Sequence, residues 1–262
     1  MKRIAFTTLL NGQPFLEKQL KSNIKDLFDE WYFIEGAVDK THDTTGNTVP
    51  KKYHTDDYLS IDGTSELLDS YAGEKIKVIR NNGKLWNGYV GMANSIADKY
   101  ENCILMMIDV DEFWPYDKLK ELLEFAETNS YNTYFFMCYY FVGKDKYLFE
   151  NNRYGNNDYE WNRLWKITDK KQFKQLQPPH LYDKHEIILA DKQLTVNKGW
   201  IFTHYSYTLE EQVKFKCDFF NKGNLLYDQW KKLQDITNNR THYFSEYFYF
   251  EPTSHTPIHF LK

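Results

Sequence analysis

Cys103-Ile104-Leu105-Met106-Met107-Ile108, followed at once by Asp109-Val110-Asp111-Glu112-Phe113-Trp114, is the stretch on which the reading turns. Six consecutive apolar residues with neither helical nor alternating period predict a strand buried on both faces, as in a parallel sheet covered by helices. The strand then runs into three carboxylates within four residues. In an extended chain Asp109 and Asp111 point to one face, because strand side chains repeat every two residues. Two like charges held so close repel unless a cation lies between them. Hard oxygen ligands suit Mg²⁺ or Mn²⁺, ions that also grip diphosphates. The plainer alternative is a polar strand end in which Asp111 or Glu112 caps a turn.

Upstream, strand and helix patterns alternate. Lys2 to Leu10 reads as a buried strand, and Pro14 to Phe28 as a helix with apolar residues at Phe15, Leu16, Leu20, Ile24, Leu27 and Phe28. Trp31 to Ile34 is a second strand, and a polar stretch from Val38 to Asp62 is too long for an idle connection. Asp62-Gly63-Thr64 opens a helix that Gly73 ends; Lys75 to Ile79 is a strand and Trp86 to Tyr100 a helix. This is the doubly wound α/β layout, whose ligands bind beyond the carboxyl ends of the strands. Downstream the order changes. Asp117 is expected to cap a helix, Tyr134 to Val142 to form an aromatic strand, Gly143 to Asp158 a loop, and Glu160 to Ile167 and Gly199 to Tyr205 further strands. Thr208-Leu209-Glu210-Glu211 reads as a capping box opening a helix to about Phe220.

Composition bounds the rest. At 262 residues, with 42% hydrophobic and 27% charged residues, the chain can bury a core and wholesale disorder is excluded. We read residues 1–262 as one domain, with 1–115 its alternating α/β half and 116–262 a C-terminal elaboration. A net charge of −4 argues against a surface-wide footprint for nucleic acid or anionic membrane, though not against a local basic groove. No apolar run reaches the length of a membrane span, and the basic start Met1-Lys2-Arg3 is followed by too short an apolar segment for a signal peptide. Cys103, Cys138 and Cys217, odd in number and set in apolar surroundings, are expected as reduced core thiols. A cytoplasmic location follows as the expectation, with peripheral membrane attachment left open.

Four motifs together resemble the glycosyltransferases of the GT-A fold, in particular the inverting family 2. Thr7 to Leu16 resembles the opening strand and helix of that family, Asp62-Gly63-Thr64 its D-G-[ST] segment, and Ile108 to Glu112 its aspartate-x-aspartate strand. Arg163-Leu164-Trp165-Lys166, then His185-Glu186, then His204-Tyr205-Ser206-Tyr207 with Lys214 and Lys216, resembles the "R-L-F-R … H-E … H-Y-[GS]-Y … K" series of one branch. The resemblance implies an α/β fold of GT-A type: a Rossmann-like, doubly wound mixed sheet with an α+β elaboration on the acceptor side. It also implies sugar transfer from a nucleotide-sugar donor to an acceptor hydroxyl with inversion, the acceptor being a glycan, a lipid-linked group, a protein or a modified base.

Roles carry over residue by residue. Asp109, Asp111 and His204 would hold Mn²⁺ or Mg²⁺, with Asp109 nearer the donor ribose. His204 can equally be read as a hydrogen-bonded core residue. Lys214 and Lys216 are two apart on a helix and do not share a face, so at most one reaches the leaving diphosphate. The general base that inverting transfer requires would be Glu186, then Asp183, then Glu160; Glu186 can also be a plain surface charge. Asn11, Glu35, Asp62, Lys84 and Trp86 would meet the donor. For Asp62 a helix cap is the simpler role, and for Trp86 a helix-entry staple is as good. Glu35-Gly36-Ala37-Val38-Asp39 and the long insert before Asp62 depart from the family pattern. Tyr139, Tyr140, Phe141, Trp161 and Trp165 could form a sugar platform or simply cover helices.

Three competing readings remain at this point. A nucleotidyltransferase would want a basic, glycine-rich loop where Thr7 to Gln13 offers only Gly12. A non-catalytic glycan- or nucleotide-binding module would bind without metal. A DNA-base-modifying enzyme of viral type would use a basic groove such as Lys166, Lys170, Lys171 and Lys174.

Overall fold

A computed structural model describes residues 1–40, 47–150, 161–176, 179–247 and 256–261. In chain order the regular elements are β1 (Lys2–Leu9), α1 (Phe15–Lys21), β2 (Glu30–Glu35), α2 (Thr64–Tyr71), β3 (Ile76–Arg80), α3 (Gly88–Ala97), β4 (Cys103–Met107), β5 (Glu112–Phe113), α4 (Tyr116–Thr128), β6 (Thr133–Phe135) and β7 (Cys138–Phe141). They continue with β8 (Lys146–Glu150), β9 (Asn162–Ile167), β10 (Gln175–Leu176), β11 (Pro179–His180), β12 (Leu189–Ala190), α5 (Lys192–Asn197), β13 (Phe202–His204), α6 (Glu210–Phe219), α7 (Gly223–Gln234) and β14 (His259–Phe260).

Seven strands form the main sheet in the order β12-β6-β9-β4-β1-β2-β3. β4, β1, β2 and β3 are mutually parallel, and β9 runs antiparallel to β4. The apolar run explains itself here. Ile104, Met106 and Ile108 join one core layer with Leu16, Leu20, Leu119 and Leu122; Cys103, Leu105 and Met107 join the other with Met92, Ala93 and Ile96. A strand covered on both faces has no polar side to show. All three cysteines are buried free thiols. Among the described residues no helix is long and apolar enough to cross a membrane.

The smaller sheet, β14-β8-β7-β13-β5, takes all but β5 from the second half of the chain. Here the expected elements need correction. The aromatic run Tyr134 to Val142 is two strands, β6 in the main sheet and β7 in the smaller one, because the chain changes sheets at Phe136 and Met137. Part of the expected loop after Gly143 is β8, where Lys146 and Leu148 are buried and Tyr147 and Phe149 half-buried, a period of two. The helix expected over Pro14 to Phe28 stops at Lys21. Ser22 leaves the helical region at ψ 154°, donates its hydroxyl to the Gln19 carbonyl at 2.7 Å, and a 3₁₀ turn over Asn23–Leu27 follows. α6 begins at Glu210, and its box is closed by Gln212 rather than Glu211: the Gln212 Oε1 accepts from Leu209 N at 3.0 Å and Thr208 N at 3.2 Å.

Candidate active site

β4 ends where the two sheets meet. Its last ladder bond runs from Ile108 N to the Phe6 carbonyl, and the Ile108 carbonyl accepts from Thr7 Oγ1 at 2.6 Å. Asp109 to Glu112 then form a turn, closed by Glu112 N donating to the Asp109 carbonyl at 3.0 Å. Buried Gln19 braces it by donating Nε2 to the same carbonyl at 3.0 Å. The chain leaves the turn as β5, whose Glu112 lies opposite His204 of β13, and His204 lies opposite Tyr140 of β7. Pairing within the smaller sheet therefore brings residues some ninety positions apart to one point.

The three carboxylates there have different surroundings. Glu112 is fully buried. Arg163, itself 3% exposed, donates Nε to both Glu112 oxygens (3.0 and 3.2 Å) and Nη2 to Oε1 (2.9 Å); Asp109 N donates to Oε2 at 3.2 Å. Burial pushes the Glu112 carboxyl up, to about 7, although Arg163 pulls against it. Three donors make four hydrogen bonds to it, and they favour the carboxylate, since a protonated acid would point an O–H at other donors. Burial works against the Arg163 charge, and the carboxylates of Glu112 and Asp109 outweigh it, so its pKa is raised. The same Nη2 also donates to Asp109 Oδ2 at 3.0 Å. Asp111 faces the other way, toward His204 Nε2 at 3.4 Å and the Gln212 amide at 3.3 Å. Burial works to raise the Asp111 carboxyl, but His204 and then Lys216 more than offset it and hold it below the usual range.

His204 decides whether this junction suits a divalent cation. Its ring is buried among Tyr140 and Trp161, with centroids 5.2 and 5.1 Å away. Nδ1 is buried without a hydrogen-bond partner and lies 3.8 Å from Glu112 Oε1; Nε2 faces Asp111. Two ligand atoms on one Mg²⁺ or Mn²⁺ with bonds near 2.1 Å sit about 3 Å apart, close to the separation of Nε2 and Asp111 Oδ1. The donor set, imidazole with carboxylate oxygens, fits the ion.

α6 supplies the positive side. Lys216 Nζ donates to the Ser206 carbonyl (2.6 Å) and hydroxyl (2.5 Å) and stands 3.9 Å from the Tyr207 ring centroid. Lys214 points to solvent and pairs with Glu210 at 2.6 Å. Gln212 and Lys216, four apart, share the helix face that meets Asp111.

Asn11, Glu35, Asp62, Lys84 and Trp86, expected at the donor, lie at the carboxyl ends of β1, β2 and β3, and most are engaged by neighbouring residues of that edge. Glu35 is fully buried, bonded by Arg80 Nε (2.8 Å), Ser60 N (3.2 Å) and Ser65 Oγ (2.5 Å), which leaves it no face toward a donor. Asp62 accepts from Thr64 N at 3.1 Å and Gln13 N at 2.9 Å, which fixes the turn into α2; the N-cap position itself is Gly63, one residue on from the expected cap. Asn11 ties the loop by donating to the Tyr53 carbonyl (2.7 Å) and accepting from Ile61 N (2.8 Å). Trp86 is buried and donates Nε1 to the Glu35 carbonyl at 3.0 Å. Gly36, at φ +143°, lets the indole approach, since a Cβ there would stand 2.9 Å from Trp86 Nε1. Lys84 is exposed beside them.

Glu186 and Asp183 are not brought to this junction. The Glu186 carbonyl accepts from Asn132 Nδ2, the Asn132 carbonyl accepts from Lys166 N, and Lys166 lies opposite Ile104. Asp109 is five residues along the strand from Ile104 (109 − 104), about 16 Å at 3.3 Å per residue. Glu186 pairs with Lys171 at 3.1 Å, and Asp183 with Lys174. Glu160 lies outside the described residues. Of the suggested sugar platform, Tyr140, Trp161 and Trp165 are core, Phe141 is buried against Tyr147 and Tyr205, and Tyr139 is exposed.

Arg163, Gln19 and Gln212 were not singled out as site residues from sequence. Arg163 left a signal: a charge inside the apolar strand Trp161 to Ile167 must find a buried partner.

No curated protein matches the chain. Among solved structures, S. aureus TarS 1-349 is 12% identical, with 91% of this chain and 74% of that chain covered and a TM-score of 0.45. The same protein in complex with UDP-GlcNAc is 12% identical over 88% of this chain and 72% of that one, at 0.44. The inositol-1-phosphate CTP transferase from T. maritima is 10% identical over 85% and 96%, at 0.32. The family model described as Glycosyl transferase family 2 matches residues 55–188, just over half of the chain, a span that includes β4, the carboxylate turn and Arg163. With a mixed α/β sheet of GT-A type and that match, the chain belongs to glycosyl transferase family 2.

Proposed function

We propose that the protein is a metal-dependent glycosyltransferase that moves a sugar from a nucleotide-sugar donor to an acceptor hydroxyl with inversion. The observation that carries this reading is the buried imidazole–carboxylate junction at the carboxyl end of β4, the edge where open α/β sheets bind ligands. Asp111 and His204, with Asp109 beside them, would hold Mn²⁺ or Mg²⁺. When bound, that ion offsets the negative charge that develops on the departing diphosphate. Lys216 adds a fixed positive charge at the same point, and its bonds to Ser206 keep it there without reorganisation. Gln212 holds Asp111 toward His204. Tyr140 and Trp161 close off the imidazole from water, which strengthens every charge interaction around it. Inversion rests on the family resemblance, and neither Glu186 nor Asp183 is assigned the acceptor base.

The test is hydrolysis of a panel of nucleotide sugars by the whole chain with Mn²⁺, with and without EDTA, beside Asp111→Asn. One donor should be turned over only with metal, and Asp111→Asn should lose about 10²–10³-fold of that rate at an unchanged melting temperature, the scale of losing one preorganised charge contact. Metal-independent turnover, or full activity in Asp111→Asn, overturns the reading.

A further inference from the structure

Asp109, Glu112 and His204 each offer a ligand atom, and the three atoms lie within 4.8 Å of one another. By spacing alone this trio is a cation site. One cationic atom already bridges two of its members: Arg163 Nη2, 3.0 Å from Asp109 Oδ2 and 2.9 Å from Glu112 Oε1. A guanidinium does not lose its proton in a protein, so this charge is permanent. We infer that Arg163 is a built-in cation that plugs the inner Asp109–Glu112–His204 site and thereby directs a divalent ion to the outer pair, Asp111 and His204 Nε2.

The inference rests on the metal-dependent reading and refines it. With Arg163 in place, Glu112 spends both oxygens and Asp109 spends Oδ2 on the guanidinium, which leaves Asp109 only its Oδ1. Glu112 keeps one further task. His204 Nδ1 is buried 3.8 Å from Glu112 Oε1, so with an ion on Nε2 the ring proton would sit on Nδ1, on the side that faces Glu112. The Trp161 ring, 5.3 Å from the guanidinium carbon, backs Arg163 on its other side. Glu112 and Arg163 are thus positioning residues: the first sets which imidazole nitrogen is free, the second denies the ion the deeper position. The two aspartates of the motif are unequal, with Asp111 the gripping one.

The test counts Mn²⁺ bound to the whole chain, using the electron paramagnetic resonance signal of the free ion. Wild type should bind one ion, and Asp111→Asn should lose it. Arg163→Met should bind a second ion or bind Mn²⁺ about ten-fold tighter, and the double variant Arg163→Met/Asp111→Asn should still hold one. Arg163→Lys, which keeps the charge, should show no second ion. Mn²⁺ should raise the melting temperature of Arg163→Met more than that of wild type, because it replaces the missing charge. Should Arg163→Met fail to fold, Glu112→Gln decides: it keeps shape and leaves Arg163 its bond to Asp109, and should weaken the wild-type ion by 10–100-fold, the usual effect of losing an outer-shell partner. A wild type that binds one ion, with Arg163→Met/Asp111→Asn binding none or Glu112→Gln binding as wild type does, overturns this inference alone. A wild type that binds no Mn²⁺ overturns it together with the metal-dependent reading.

Discussion

Two clusters of the same residue types lie toward opposite ends of β4. Asp109, Glu112 and His204 gather at its carboxyl end; Asp183, His185 and Glu186 gather near its start, and in both the ligand atoms lie within 4.8 Å of one another. In the first, the carboxylates share one buried guanidinium and are tied to two sheets. In the second, each acid has its own lysine at the surface, with Glu186 about one-third and Asp183 about one-half exposed. Residue type and spacing are the same in the two places. Burial, and position on the ligand edge of the sheet, separate them.

The largest expected effect breaks the buried cluster. Glu112→Ala leaves the Arg163 guanidinium in an apolar pocket with one partner fewer, and removing one member of a buried pair costs about 3–5 kcal/mol. Urea unfolding measures it. A loss below about 1 kcal/mol would mean that water reaches the junction and that its burial does not distinguish it from the surface cluster.

Why the sequence announced one end of this comparison and misread the other follows from what strand patterns carry. Cys103 to Ile108 is apolar on both faces, so a buried central strand and the acidic turn beyond it, with Asp109 and Asp111, could be read directly, whereas His204 entered only through the family resemblance. The partners of those residues could not. Arg163 reaches Glu112 only because β9 runs antiparallel to β4, and His204 only because β13 pairs with β5; register between distant strands is not written in local period. The height of Glu186 on the sheet was hidden for the same reason. Its sequence neighbourhood looks like a motif, but the Asn132 and Lys166 contacts that fix its height on the sheet are long-range. Glu35 was located correctly at the end of β2, yet its partner Arg80 lies one strand over, and that pairing turns a candidate donor contact into an internal lock.

A pair of intermediate burial grades the comparison. Arg3 at the start of β1 donates Nε and Nη2 to the two oxygens of Glu127 on α4, at 2.9 and 3.0 Å, with both side chains roughly a quarter exposed. The hydrogen bonds from Arg3 hold the Glu127 carboxyl below its ordinary 4.5, burial works weakly against them, and the Arg3 charge helps. A carboxylate depressed on folding stabilises above its unfolded value, and that contribution is lost as pH falls through the folded one. Stability should therefore drop from about pH 4.5 downward, and Glu127→Gln should flatten that part of the profile. At this exposure the difference at neutral pH is below about 1 kcal/mol. An unchanged acid limb in the variant would place Glu127 with the surface pairs.

The smallest effect belongs to the surface cluster and is the most discriminating. If Glu186 were the acceptor base, Glu186→Gln would cost the 10²–10⁴-fold that general-base catalysis contributes. Its position near the start of β4, with its carboxylate on Lys171, argues that the variant keeps both the melting temperature and the transfer rate of the wild type. The assay is the nucleotide-sugar turnover that tests Asp111→Asn, run on both variants. Loss of turnover in Glu186→Gln at an unchanged melting temperature would mean that the segment from Asp183 to Glu186 swings to the other end of the sheet during the reaction. The contrast between the two clusters would then be one between resting positions, and Lys171 and Lys174 would be the contacts that keep the base parked.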